Sequence, residues 1–299
     1  MSCSASPTVG TLFVVATPIG NLADITLRAL HVLAAVDVIA AEGTRHTRKL
    51  LAAHNIDTPL VSYHRHRERR QSERLVRRLL AGEDVALVAD AGTPGINDPG
   101  ARLVSAARAA GVPVVPVPGP SSLTAALSVA GELAAGRDIC FCGFPPARPG
   151  PRKRFFQSRR ALEAILVFFE APHRIKDSLA DCLAVFGDCH AVVCRELTKV
   201  HEQVVAGRLA GLAEQLTADG IPARGEFVIL LAPARRAPED GEVQEALVSL
   251  LADGRTSLRD AAAIVADRFA ISRSRVYRLA LALQQQTAGI NGRHDQEGV

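Results

Sequence analysis

Short apolar runs alternate along this chain with stretches whose apolar residues recur at helical spacing, and that alternation restricts it to architectures built from successive strand and helix units. The runs at residues 11–16, 38–41, 85–89, 114–117, 139–143, 165–169, 191–195, 204–206 and 227–231 read as strands, expected to form largely parallel sheets. Between the first two, Ile25, Ala29, Val32, Leu33 and Val36 share one helical face, with Asn21 or Asp24 as the cap. A Gly and Pro cluster at residues 113–120 is a turn, and residues 128–137 join two α/β halves. The expected organisation is a flexible N-terminus over 1–10, an α/β domain over 11–125 and a second over 126–235. Prolines and polar residues at 232–241 then lead into a helical module over 242–285 and a polar tail over 286–299, expected to be disordered.

A chain of 299 residues that is 48% apolar can bury the cores of two domains and a smaller third unit. It opens without the basic head and apolar run of a signal peptide, and no stretch approaches a membrane span, so a cytoplasmic protein without membrane contact is expected. Cys3, Cys140, Cys142, Cys182, Cys189 and Cys194 lack the C-x-x-C spacing of a zinc site, and they read as reduced thiols with no metal role. The net charge of +4 is mild, but its distribution is uneven. Residues 64–78 hold seven arginines and two histidines against two glutamates, and residues 148–160 hold six basic residues and no acid. Such runs suit a polyanionic partner, with Arg45, Arg65, Arg67, Arg152 and Lys153 as expected contacts.

In open α/β sheets ligands sit beyond the carboxyl ends of the strands. Here those positions carry Thr17-Pro18-Ile19-Gly20-Asn21, Glu42-Gly43-Thr44-Arg45-His46, Asp90-Ala91-Gly92-Thr93-Pro94-Gly95 and Pro118-Gly119-Pro120-Ser121-Ser122. In the second half they carry Glu170-Ala171-Pro172-His173-Arg174 and Arg195-Glu196-Leu197-Thr198. Glycines admit a ligand close to the backbone, prolines stiffen the loops, and the acids and hydroxyls can bond an amino acid or a ribose. G-x-G-x-x-G, G-x-x-x-x-G-K-[ST] and G-x-S-x-G are absent, which counts against dinucleotide-binding, nucleotide-hydrolysing and serine-hydrolase chemistry.

The strings TPIGNLADITLRAL, EGTRHTRKLL, DAGTPGINDPG, VPVPGPSSLTAALSVAG, FFEAPHR and RELTKVHE, in this order over residues 11–232, closely resemble the ribosomal RNA small subunit methyltransferase I family of the tetrapyrrole methylase superfamily. The resemblance implies a class III methyltransferase fold of two α/β domains, usually a homodimer, with S-adenosylmethionine between them. It also implies 2'-O-methylation of a cytidine ribose, cytidine 1402, in the decoding region of 16S ribosomal RNA. Carried over, the donor pocket comprises Pro18, Gly20, Asp90, Gly92, Thr93, Pro94, Ser121, Ser122, Glu170 and Glu196. The family usually reads E-D-T-R where this chain has Glu42-Gly43-Thr44-Arg45, so a role for an acid at position 43 does not carry over.

Methyl transfer to a ribose hydroxyl is an in-line displacement that needs positioning first and a proton acceptor or cationic stabiliser second. Glu42, His46, Glu170, His173 and Arg174 are the candidates, and the sequence does not choose among them. Residues 257–281 read as two amphipathic helices with a turn near 270–272, similar to a helix-turn-helix whose second helix offers Arg273, Arg275 and Arg278 to phosphates. The competing readings are a methyltransferase acting on a tetrapyrrole, which has little use for the basic runs, and a nucleic-acid-binding regulator whose α/β halves sense a metabolite.

Overall fold

The computed structural model describes residues 9–217, 220–233, 240–252, 256–269 and 271–294, without the side chains of His66 and of 284–294. The expected flexible N-terminus, with Cys3, lies outside them apart from Val9 and Gly10, as do residues 234–239 of the expected linker and the tail from 295. The chain divides into two compact units between residues 234 and 235.

The first unit is built on two five-stranded sheets. β1 (Leu12–Val15), β2 (Val38–Ala41), β3 (Leu60–Ser62), β4 (Val85–Val88) and β5 (Val114–Val117) form an all-parallel sheet in the order β3-β2-β4-β1-β5. Alternate residues of one strand serve opposite faces. Val38, Ala40, Val85 and Leu87 pack beneath Leu75 and Leu79 of α3 (Glu68–Leu80) and Leu103 and Ala107 of α4 (Ala101–Ala109). Ile39, Ala41, Ala86 and Val88 pack against Ala29 and Leu33 of α1 (Leu27–Ala35) and Leu51 of α2 (Thr44–Ala53). Burial on both faces explains the unbroken apolar runs. Thr26, not Asn21 or Asp24, caps α1, accepting from the Ala29 amide at 3.1 Å, while Asn21 caps a short 3-10 turn before it.

The second sheet departs from the expected parallel arrangement. β6 (Asp138–Phe141), β7 (Ala164–Glu170), β8 (His190–Arg195), β9 (Gln203–Arg208) and β10 (Phe227–Ala232) take the order β6-β7-β10-β8-β9. Only β6 and β7 are parallel neighbours; β10 runs antiparallel to β7 and β8, and β9 to β8. β10 slots between β7 and β8, so that Phe227 pairs with both Glu170 and Arg195 and the ends of two parallel-pointing strands meet at one level. One face is covered by α6 (Pro149–Gln157), α7 (Ile175–Phe186) and α8 (Leu209–Glu214) through Phe156, Ile175, Leu179, Leu209 and Leu212. The other face, Ile165, Val167, Val192, Val228 and Leu230, is covered by Ile19 of the β1–α1 loop and by Ala126 of α5 (Ser122–Ser128), the helix that follows the first sheet and straddles the expected boundary at 125.

The second unit comprises α9 (Asp240–Leu251), α10 (Leu258–Phe269) and α11 (Arg273–His294), packed through Val243, Leu247, Ala261, Val265, Val276 and Ala280. Ser272 precedes α11, its carbonyl accepting from the Arg275 amide at 3.0 Å. α11 continues to His294, so the part of the polar tail up to that residue is helical rather than disordered: no proline interrupts it. No described helix is long and apolar enough to cross a membrane.

Phe168 is fully buried and packs against Phe156 with ring centroids 5.5 Å apart. Phe168→Ala is expected to cost about 3–5 kcal/mol of stability in urea denaturation. A loss below about 1 kcal/mol would contradict the packing of this face.

Candidate functional site

The ends of β1 and β4 are tied together before either loop turns outward. Thr17 and Gly92 exchange backbone hydrogen bonds of 3.0 and 2.9 Å, and the buried Thr17 hydroxyl donates to the Ala89 carbonyl at 3.2 Å. Gly92 holds a φ of +77°, where a side chain is strained, and this lets the loop fold back toward Ile19 and Ser121. Thr93 Oγ1 donates to the Pro120 carbonyl at 3.3 Å and so links this loop to the start of α5.

Between these loops and the second sheet lies a cavity of about 330 Å³. The first half supplies Ile19, the stretch Ala91-Gly92-Thr93, Asn97, Asp98, Ser121 and Ser122; the second supplies Phe144, Phe169, Glu170, Leu197, Glu226 and Val228. Its lining combines apolar side chains with a few polar groups, the combination that holds a small organic ligand in one orientation. Cys194 also lines it, but burial pushes this thiol up to about 12, so it stays protonated and is no nucleophile at neutral pH.

The cavity gathers five of the ten residues expected to hold the donor: Gly92, Thr93, Ser121, Ser122 and Glu170. Pro18, Gly20, Asp90, Pro94 and Glu196 lie outside its walls. Gly20 instead lets the β1–α1 loop press on the β8–β9 loop, since a Cβ there would stand 2.4 Å from Lys199 Cγ. Glu196, with φ +51°, bonds Lys199 Nζ at 2.9 Å and the Glu226 amide at 2.8 Å. Burial raises its carboxyl, but these two partners outweigh that and hold it below the usual range.

The expected catalytic group is scattered. Glu170, 2% exposed, accepts from the Ala171 amide at 2.8 Å, from Arg174 and from the Ser178 hydroxyl. Its oxygens are committed, so the expectation that it exchanges protons with a substrate is corrected: it anchors the β7–α7 turn. Arg174 is consumed in the same way, on Glu170 and on the Pro145 carbonyl at 3.4 Å. His173 is exposed and outside the cavity wall, and His46, also exposed, has Nδ1 3.6 Å from Asp90 Oδ2. Glu42 sits at the end of β2, its carboxyl raised by burial and by Asp90. At Gly43 a Cβ would stand 2.2 Å from Asp90 Oδ1, so the missing side chain leaves room for that carboxylate. Asp98, which none of the sequence arguments singled out, lines the cavity beside this acidic group. Among the described residues no three His, Cys, Asp or Glu side chains are placed to share a metal ion.

The basic residues also divide. Arg45, Arg65 and Arg67 are exposed, and Arg65 Nη2 donates to the Asn97 carbonyl at 2.6 Å on the cavity rim. Arg152 is 2% exposed and bonds Asp181 Oδ2 at 2.6 Å and the Ala147 carbonyl at 3.2 Å, so the expectation that it meets a polyanion is corrected; it is an internal ion pair between α6 and α7. Lys153, half exposed, has Nζ 3.6 Å from Asp181 Oδ1. On α11, Arg273 and Arg278 are exposed and Arg275 is bonded to Asp240 at 2.7 Å. The sequence run 148–160 could not disclose this difference because Asp181 lies 29 residues further on.

Residues 11–213 match the family described as Tetrapyrrole (Corrin/Porphyrin) Methylases, and residues 237–284 match the RsmI C-terminal HTH domain. The chain is similar to the "Ribosomal RNA small subunit methyltransferase I" of Pseudomonas aeruginosa, with 46% identity over 92% of this chain and 98% of that one. Its counterpart in Xylella fastidiosa (strain Temecula1) is 52% identical over 75% and 82%, and that of Escherichia coli O157:H7 42% identical over 94% and 98%. Among solved structures, a diphthine synthase shares the fold with a TM-score of 0.57 at 18% identity, covering 75% of this chain and 90% of that one. The uroporphyrin-III C-methyltransferase of Thermus thermophilus, solved with S-adenosyl homocysteine, gives a TM-score of 0.54 at 21% identity, covering 74% and 97%.

Removing one partner of a buried ion pair leaves the other charge uncompensated. Arg152→Met is therefore expected to cost about 3–5 kcal/mol in denaturant unfolding and to leave the salt dependence of polyanion binding unchanged. Wild-type stability with a reduced salt slope would reverse the assignment.

Proposed function

Because this chain belongs to the ribosomal RNA small subunit methyltransferase I family of the tetrapyrrole methylases, we propose that it transfers a methyl group to the 2'-hydroxyl of a cytidine ribose in the decoding region of 16S ribosomal RNA, within the small subunit. What carries the reading is the extent of likeness to relatives bearing that name, 46% identity over 98% of one of them, joined to the helical module that accompanies the methylase domain. The methyl donor is S-adenosylmethionine, which supplies a methyl carbon activated by a sulfonium. A cytoplasmic homodimer follows from the family resemblance.

The cavity between the two halves suits the donor. Ile19, Phe169, Leu197 and Val228 offer apolar surface to a purine, while Thr93, Ser121, Ser122 and the backbone from residue 91 to 93 offer hydrogen bonds to ribose and amino-acid groups. Glu170 contributes by fixing the Ala171-Pro172 wall, not by direct chemistry. The task left to the remaining residues is to hold the hydroxyl in line and keep water out. Arg45, Arg65 and Arg67, with the exposed Arg70 and Arg74 of α3, form a basic surface for the RNA backbone, and exposed Arg273 and Arg278 form another on α11.

The direct test is transfer of labelled methyl from S-adenosylmethionine to isolated small ribosomal subunits lacking the modification, with the product nucleoside identified by mass spectrometry. The expected product is 2'-O-methylcytidine; donor binding with no transfer to subunits or free RNA would overturn the reading. At Gly92 the φ of +77° and a Cβ 3.4 Å from Ile19 Cγ2 mean that Gly92→Val should weaken donor binding about tenfold or more in calorimetry. Undiminished affinity would move the donor elsewhere. Arg278→Glu should weaken RNA binding and reduce its salt slope by about 1 while sparing donor affinity. An unchanged slope would make α11 structural.

A further inference from the structure

Among the described residues Phe144, in the β6–α6 loop, is the one exposed phenylalanine, at 53%. It lines the cavity with Ile19, Leu197 and Val228, which are 8%, 8% and 6% exposed, so it is the large apolar wall residue most open to solvent. Its backbone is held on both sides. The Gly143 carbonyl accepts from the Phe169 amide at 2.9 Å, the Pro145 carbonyl accepts from Arg174 at 3.4 Å, and Pro145-Pro146 stiffen the chain beyond. The Phe144 ring stands edge-to-face on Phe169 with centroids 5.5 Å apart, and Phe169 stands likewise on Phe141 at 5.0 Å. An open aromatic ring is thus presented on a fixed support.

A basic group is anchored beside it. Gly143 has φ +65°, and a Cβ there would stand 2.7 Å from Asn97 Oδ1, so the Asn97 side chain lies against the backbone that precedes Phe144. The Asn97 carbonyl accepts from Arg65 Nη2 at 2.6 Å, which leaves the exposed guanidinium with further donors. Ring and guanidinium are therefore carried by one contact between the two halves, the first suited to a nucleobase and the second to a phosphate.

We propose that Phe144 is the stacking platform for the base of the target nucleotide, a proposal that rests on the ribose-methylation reading above. In-line transfer brings the hydroxyl within about 3–3.5 Å of a methyl carbon held inside the cavity. A nucleotide kept in its helical stack would drive its neighbours into the strand-end loops before its hydroxyl reached that depth. The target is therefore splayed out of the RNA, its cytosine loses the faces of its neighbours, and the open face of Phe144 replaces one of them. With the base on Phe144 and a flanking phosphate on Arg65, the ribose between them is turned toward the cavity. Phe144 positions the substrate and exchanges no proton. The basic surfaces grip the RNA whether or not the base is extruded, so Phe144 sets the fraction of bound target that is ready to react, and its loss appears in the rate of the bound complex instead of in RNA affinity.

The test follows single-turnover methyl transfer by wild type, Phe144→Ala, Phe144→Leu and Phe144→Trp on small subunits assembled with RNA that carries either cytidine or an abasic ribose at the target position, with subunit and donor affinities measured separately. Phe144→Ala is expected to slow transfer to cytidine about 10- to 100-fold while both affinities stay within about threefold of wild type. Phe144→Trp retains most of the rate, whereas Phe144→Leu, apolar but without a π-face, behaves like Phe144→Ala. An abasic ribose has nothing to stack, so on it wild type and Phe144→Ala become equal. A wild-type rate in Phe144→Ala, a penalty of the same size on the abasic ribose, full activity in Phe144→Leu, or a loss matched by weaker donor binding would each overturn the proposal. A wild-type product methylated on the base instead of the ribose would show that the underlying reading had failed, whatever the variants do.

Discussion

The first unit depends on one contact: the seating of Ile19 and α5 on the face of the second sheet that α6, α7 and α8 leave open. Without it, Ile165, Val167, Val192, Val228 and Leu230 would be an exposed apolar sheet face, and the burial of these side chains is what holds the halves together. The same contact creates the cavity. Ile19 is both a core residue of that cluster and a wall residue, and Ser121 and Ser122 sit at the first turn of the helix that makes the seal. Stability and site geometry therefore share atoms.

Around this seam the polar groups take separate duties. Glu170, Glu196, Arg174 and Lys199 are consumed in local bonds that shape the strand-end loops. Glu42, Asp90 and Asp98 approach one another beside Arg65, which lowers Glu42 and Asp98 while burial and neighbouring carboxylates raise them. In a half-buried setting an uncompensated carboxylate is held at a cost in solvation, and that cost appears as raised proton affinity. Such a cost is tolerated where function uses it.

Much of the fold was legible in the sequence, for a physical reason that also marks where legibility ended. Strands such as 38–41 and 85–88 are buried on both faces and therefore read as unbroken apolar runs. β3, Leu60–Ser62, escaped because it is three residues long and only half-buried. The antiparallel placement of β10 was invisible because an apolar run carries no record of its neighbours' direction. The loops that bound the cavity were legible as Gly-rich and Pro-rich strand ends, but which side chain in each loop faces the cavity was not. Glu170 and Arg152 looked available because Ser178 and Asp181, their partners, stand 8 and 29 residues away. Asp98 passed unmarked inside DAGTPGINDPG because its place in the cavity wall is set by the fold and not by its neighbours in sequence.

The central claim is that one cavity, sealed by Ile19 and α5, is the donor site. Amide hydrogen exchange with and without S-adenosylhomocysteine tests it most directly, because protection maps contact to individual loops. The account predicts added protection at residues 91–93, 96–98, 121–122, 169–171 and 226–228, which come from both halves and line the cavity. Protection confined to one half, or binding that leaves these amides unchanged, would contradict it.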